Sequence, residues 1–194
     1  MSLLRYFIPS LIVVLPLFTG CQNGTVKATQ SDEQLIVKPF EFTSPAFHNC
    51  DTIPVIYTCD SSNISPELHW HNPVKKTASY AIIMEDPDAP GGTWIHWIVY
   101  NIPATDSMLT ARIPRDSALT NGIKQGFTSF GAIGYGGPCP PGGTHRYYFK
   151  LYALDTDLKL KAGLTKTQLM NAMTNHILAE TDLQGKYSHK KKDQ

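Results

Sequence analysis

The 194-residue chain is short of charge: Asp, Glu, Lys and Arg make up 17% of it, and the formal net charge is +1. A balance this even leaves no basic footprint for nucleic acid, which needs lysine and arginine clustered on one face. Nucleic acid is therefore not expected among its partners. Cysteine is scarce as well, with four in all and no C-x-x-C pair. H-E-x-x-H and G-x-S-x-G are missing, so neither a zinc-protease helix nor a hydrolase nucleophile elbow is expected. With no nucleophile–base pair to name, the chain reads as a binding protein and not an enzyme, with no cofactor and no metal. An apolar run of about 20 residues, the length a membrane helix needs, is also lacking.

The N-terminus does carry a shorter apolar run. Arg5 precedes Tyr6 to Phe18, which is broken by Pro9, Ser10 and Pro16. That length suits the apolar region of a secretory signal. The run ends in Leu17-Phe18-Thr19-Gly20-Cys21, which resembles a bacterial lipobox. Residues 1–20 are then expected to be removed and Cys21 to be acylated. An ordinary export signal with Cys21 incidental is the alternative. Residues 21–34 are polar and rich in small side chains, as suits a flexible tether. The lipobox reading places the protein in the bacterial cell envelope, lipid-anchored at the membrane and facing the periplasm or exterior. Export permits disulfides. Cys50 and Cys59 flank a short loop with Pro54 at its centre, and a Cys50–Cys59 bridge is favoured over free thiols.

Beyond the tether, 42% hydrophobic content with nine Tyr, eight Phe and three Trp is enough for a core. Fourteen Gly and fourteen Pro supply many turns. Residues 35–187 read as one mainly β domain. Strands are expected at Phe40–Phe47, Leu68–His71, Ser79–Glu85, Trp94–Asn101 and Arg146–Ala153. The third is apolar almost throughout, as in a strand buried on both faces. Ile113 to Pro141 is too long for a plain loop, so it is expected to be functional or to hold short strands. A helix is expected over Thr165–Thr181, started by a Thr165/Gln168 capping box, with Leu169, Met173, His176 and Ile177 on one face. Residues 188–194, with Lys190 to Lys192, read as a solvated basic tail. This pattern predicts an antiparallel β-sandwich-like domain, a large sheet on a smaller one, with peripheral helices including one near the C-terminus.

Three segments hold the chemistry. Glu85-Asp86-Pro87-Asp88-Ala89-Pro90 brings two carboxylates to the rim of a buried strand, although alone it reads as an ordinary turn. In Trp94-Ile95-His96-Trp97, alternation puts His96 on the face of Ile98 and Tyr100, where a core histidine is the plain reading. In Gly134 to Tyr147, glycines allow close backbone approach, while His145 and Tyr147 share one side and Arg146 takes the other.

Taken in order, DPDAP, the H-x-x-V-x-N strand and GGPCPP…HRYYF resemble the phosphatidylethanolamine-binding protein family, also called the Raf kinase inhibitor protein family, and most closely its bacterial branch. Asn63-Ile64-Ser65-Pro66 resembles a further motif of that family, and the likeness spans roughly Phe40 to Tyr187. It implies a large antiparallel sheet packed on a smaller one, with a small anion pocket at one end. It implies Asp86, Asp88, His96, Pro140, His145 and Tyr147 as ligand-binding residues, with Trp94 and Cys139 at the rim. Arg146 is expected to be structural and to pair with Asp86 or Asp88. The expected ligand is a small anion such as a phosphate or phospholipid head group, with Asp86 and Asp88 orienting the two histidines. The alternative is a regulator or inhibitor of a protease or other protein partner, acting through its surface.

Overall fold

The structure is a computed structural model that describes residues 39–119 and 121–189. The expected signal segment 1–20, Cys21, the tether to residue 34 and Lys190–Lys192 lie outside the described residues. Among those described, eight strands and one α-helix follow in chain order, besides a single 3-10 turn at Val55–Tyr57: β1 (Glu41–Thr43), β2 (Leu68–His71), β3 (Ser79–Asp86), β4 (Trp94–Pro103), β5 (Met108–Leu109), β6 (Lys124–Gln125), β7 (His145–Leu154), α1 (Lys166–Met173) and β8 (Ile177–Tyr187).

The strand with no polar face becomes the centre of the molecule. All eight residues of β3 are buried, and β3 is the middle of a five-stranded antiparallel sheet in the order β6-β4-β3-β7-β8. A second antiparallel sheet has the order β1-β2-β5. Alternation divides the apolar side chains of the large sheet between two layers. Ile82, Met84, Trp97, Phe149 and Leu151 pack with Trp70, Leu68 and Phe42 of the small sheet. Ala81, Ile83, Ile98 and Tyr100 pack on the opposite face against Leu169 and Met173 of α1. Both helix residues are fully buried, which contributes about 1.5–3 kcal/mol each. The expected sandwich with a peripheral helix is the architecture observed.

Three expectations are corrected. The strand expected over Phe40–Phe47 is paired with β2 only over Glu41–Thr43. The helix covers only the first half of Thr165–Thr181. Its capping box forms, with Thr165 and Gln168 bonded reciprocally. The chain then turns at Asn175, with φ of 67°, and Ile177 begins β8. Without β8 the whole outer edge of β7 would lack backbone partners; instead β7 pairs from His145↔Tyr187 to Leu154↔Ile177. That ladder outweighs the helical spacing of His176 and Ile177.

The disulfide is Cys59–Cys139, with Cα atoms 5.4 Å apart and a sequence separation of 80, and not Cys50–Cys59. The short loop sends its two ends to different neighbours. The Cys50 amide donates to the Gln184 carbonyl on β8 at 2.8 Å, whereas the Cys59 amide donates to Pro138 at 3.1 Å. In the chain-entropy picture, a bridge over such a separation stabilises by about 4–5 kcal/mol, well above what a short loop gives.

Candidate functional site

Because β3, β4 and β7 are antiparallel neighbours, the end of β3 meets the starts of the other two. Asp86 lies opposite Trp94, and His145 begins β7. Met84 and Asp86 face the core between the sheets, as do His145, Tyr147 and Phe149. Simple alternation would turn His96 away from them, toward Ile98 and Tyr100. Instead the β3–β4 register slips between Met84↔Trp97 and Glu85↔Ile95. His96 is the extra residue of a β-bulge, a device that re-aims a side chain. Its ring centroid sits 5.2 Å from that of Tyr147, edge to face, on the side of Asp86.

The buried carboxylate of Asp86 is fully engaged. Oδ2 accepts from His145 Nδ1 at 2.7 Å, and Oδ1 accepts from the Asp88 amide at 2.8 Å. His96 takes its orientation from elsewhere: Nδ1 donates to the Gly136 carbonyl at 2.6 Å. Each imidazole therefore spends its Nδ1–H on the protein, and Nε2 is a lone pair whenever the ring is neutral. Burial pushes the His96 pKa below its ordinary value, against the Gly136 hydrogen bond and the Asp86 charge, which pull it up. Asp88 orients neither histidine. Its Oδ2 accepts from the Arg146 amide and Nε, each at 2.9 Å, and its Oδ1 from Nη2 at 2.6 Å. That fork, aided by Arg146's charge, holds the Asp88 carboxyl at about 2. Arg146 is thus structural, and the partner it takes is Asp88. The two aspartates and two histidines do not converge on one point as metal ligands would.

Tyr147 is wholly buried, and its hydroxyl has no hydrogen-bond partner among the described residues. Burial and the Asp86 charge raise its pKa, against the neighbouring Cys139 backbone, which pulls it down. An orphaned hydroxyl costs about 1–3 kcal/mol, so it marks a place where a partner belongs.

A cavity of about 210 Å³ opens here, and Asp86, His96, Trp94 and Cys139 are among the residues that line it. His145 and Tyr147 are buried and are not among the lining residues, Pro140 is buried in the loop, and Asp88 points to Arg146. Phe130 lines the cavity too, and motif reading missed it. Its ring lies 5.4 Å from Trp94 and 5.3 Å from His96, edge-on to both. Its only sequence signal is its place in the long Ile113–Pro141 segment, expected to be functional. Ser129 pins that segment to β4 with hydrogen bonds to and from the Ile95 backbone, both 2.9 Å. Ala89, Pro90 and Pro141 complete the mouth. A second cavity of about 240 Å³ lies beyond Phe130 and Cys139, which line both.

Two glycines make this packing possible. A Cβ on Gly136 would meet the Phe130 ring at 2.7 Å, and one on Gly137 would meet the Tyr57 carbonyl at 2.2 Å. The Gly137 amide donates to Asn63 Oδ1 at 2.7 Å, which gives the distant Asn63-Ile64-Ser65-Pro66 motif its role: it holds the loop whose carbonyl orients His96.

Two packed antiparallel sheets with a small, mainly apolar hollow that holds Asp86 and His96 at one end of the larger define a β-sandwich binding protein. The chain belongs to the phosphatidylethanolamine-binding protein family, whose model matches residues 43–188. It is 46% identical over 142 residues to a UPF0098 protein of Methanothermobacter thermautotrophicus, covering 73% of this chain and 94% of that one. A UPF0098 protein of Aquifex aeolicus is 43% identical over 150 residues, covering 76% and 87%. Among solved structures it is similar to a phosphatidylethanolamine-binding protein homologue from Chlamydia trachomatis, with TM-score 0.72, 40% identity and coverage of 78% and 98%. It is likewise similar to YbcL of Escherichia coli, described as a member of the mammalian family, with TM-score 0.73, 33% identity and coverage of 78% and 99%.

Proposed function

We propose that the cavity beside His96 binds a small anion, a phosphate or the phosphate of a phospholipid head group, and that binding takes up a proton. The observation that carries this is the buried, unpartnered Tyr147 hydroxyl beside two imidazoles. The hydroxyl offers one hydrogen bond. Each Nε2 becomes a donor only when its ring is protonated, because each Nδ1–H is already spent on Gly136 or Asp86. An anion therefore favours the imidazolium form and draws a proton in with it. Asp86 partly neutralises the imidazolium of His145 and suits a site that also meets an amine.

Titration with inorganic phosphate and with O-phosphoethanolamine tests the reading. Affinity is expected to weaken as pH rises through the histidine range, by about tenfold per unit for one proton taken up. His145→Ala is expected to weaken both ligands by at least about tenfold. Tighter binding of the ethanolamine ester would favour a phospholipid head group, and equal binding would favour free phosphate. Unchanged affinity in His145→Ala would refute the site. Export and acylation at Cys21 belong to this proposal on sequence grounds, and mass measurement of protein from its own host tests them.

A further inference from the structure

Outside the anion cavity, the Cys59–Cys139 bridge has an unusual neighbour. His189 Nε2 lies 3.9 Å from Cys139 Sγ. The other ring nitrogen, Nδ1, donates to Asp60, 2.9 Å from Oδ1 and 2.7 Å from Oδ2. Asp60 is fixed in turn by the Tyr187 hydroxyl, which donates to Oδ2 at 2.5 Å. With Nδ1–H spent on the carboxylate, neutral His189 presents a lone pair to a disulfide sulfur, which has no proton to give it. The two sulfurs and Nε2 all lie within 4.8 Å of one another.

We infer that reduction of the Cys59–Cys139 disulfide creates a zinc site with Cys59 Sγ, Cys139 Sγ and His189 Nε2 as ligands. Two thiolates and one imidazole form a donor set that zinc takes at about 2.3 Å for sulfur and 2.0–2.1 Å for nitrogen, with water in the fourth position. Once the S–S bond is broken, the two sulfurs must move apart to about 3.8 Å, the separation that two 2.3 Å Zn–S bonds at a tetrahedral angle impose, while His189 Nε2 closes on the same ion. The Asp60–His189 pair supplies the carboxylate–histidine arrangement that sets the tautomer of a metal-binding imidazole. The chemistry balances with a dithiol as reductant: it gives two electrons and two protons to the bridge, leaving two cysteine thiols and becoming a disulfide itself. Zinc then replaces the two thiol protons, which pass to solvent. A second disulfide as oxidant takes two electrons from the thiolates and two protons from solvent to become a dithiol, which restores the bridge and expels the ion, so disulfide and metal are alternative ways to tie the Cys139 loop to Cys59.

The test uses the full chain, reduced with a phosphine that leaves no competing thiol, and titrated with zinc chloride and separately with cobalt(II). The reduced protein is expected to bind one ion per chain and to show the thiolate-to-cobalt charge-transfer band; the oxidised protein is expected to show neither. Cys139→Ser and His189→Ala are each expected to lose the site, and Asp60→Asn to weaken it about 10–100-fold. Circular dichroism on each variant confirms that it is folded. Cys21→Ser and Cys50→Ser are expected to leave binding unchanged. Absence of the cobalt band in folded, reduced protein overturns the inference, as does full affinity in His189→Ala or loss of binding in Cys50→Ser.

Discussion

Glu85 and Asp86 are neighbours on β3, both nearly buried, and they face opposite sides of the sheet. Glu85 looks toward α1, where Lys150 meets it at 2.8 Å and Lys166 makes a second ion pair. Burial pulls its pKa up, but the two lysines together outweigh that and hold it below its ordinary value. Every charge in that cluster is answered. Asp86 looks into the core between the sheets, bonded to His145 and the Asp88 amide. Around it stand groups with unspent capacity: the Tyr147 hydroxyl and one nitrogen on each imidazole. Buried charge does not distinguish the two clusters, since both have it. The distinction lies in the hydrogen bonds that remain unmade, which among the described residues fall on the Asp86 face.

Truncating the two carboxylates gives the largest expected contrast. Asp86→Ala leaves His145 buried with an unanswered Nδ1–H and should cost about 1–3 kcal/mol in urea unfolding. Glu85→Ala frees two lysines that are each about one-third exposed, 30% and 34%, so their ammonium groups can turn to water. It should cost about 1 kcal/mol or less. A larger loss from Glu85→Ala would break the comparison. The next contrast lies in ligand affinity. Tyr147→Phe removes only the orphaned hydroxyl, so phosphate should bind about fivefold more weakly while the protein becomes no less stable. Lys166→Ala, on the other face, should leave phosphate affinity unchanged. Phosphate titrations of the two variants at one pH decide it.

The same two faces show how far the sequence could be read. The positions of β2, β3, β4 and β7 and the double burial of β3 followed from the apolar pattern, whereas the expected Phe40–Phe47 strand is paired only over Glu41–Thr43. The side of the sheet taken by His96 was not legible. Period-two counting assumes an unbroken register, and the bulge opposite Met84 and Glu85 inserts one residue and reverses the answer. β8 was hidden because Leu169, Met173, His176 and Ile177 keep helical spacing, while what makes Ile177 extended is the open edge of β7, which no local pattern displays. The disulfide failed for a similar reason: Cys50 and Cys59 are close in sequence, but Cys59 is held beside Pro138, a neighbour fixed only by the folded loop. Of the site, the residue types were legible from their motifs. Their division of labour was not, since Asp88 serves Arg146 and the backbone carbonyl of Gly136 orients His96.

The smallest expected effect sharpens that division. If Asp88 serves only Arg146, its carboxyl should answer to the guanidinium and not to the anion site. Its hydrogen bonds to Arg146 hold it at about 2, below the ordinary 3.8. A carboxyl depressed in this way adds stability above its ordinary pKa and loses it as pH falls through 3.8 toward 2. In Arg146→Ala, carbon-13 NMR titration should find the Asp88 carboxyl back near its ordinary value, and this part of the acid sensitivity should disappear. Phosphate affinity near neutral pH should stay within about twofold of wild type, because Asp88 is ionised there with or without its partner. A larger change in affinity would mean that the Asp88–Arg146 fork also shapes the mouth of the cavity, placing Asp88 with Asp86 on the binding side of the comparison.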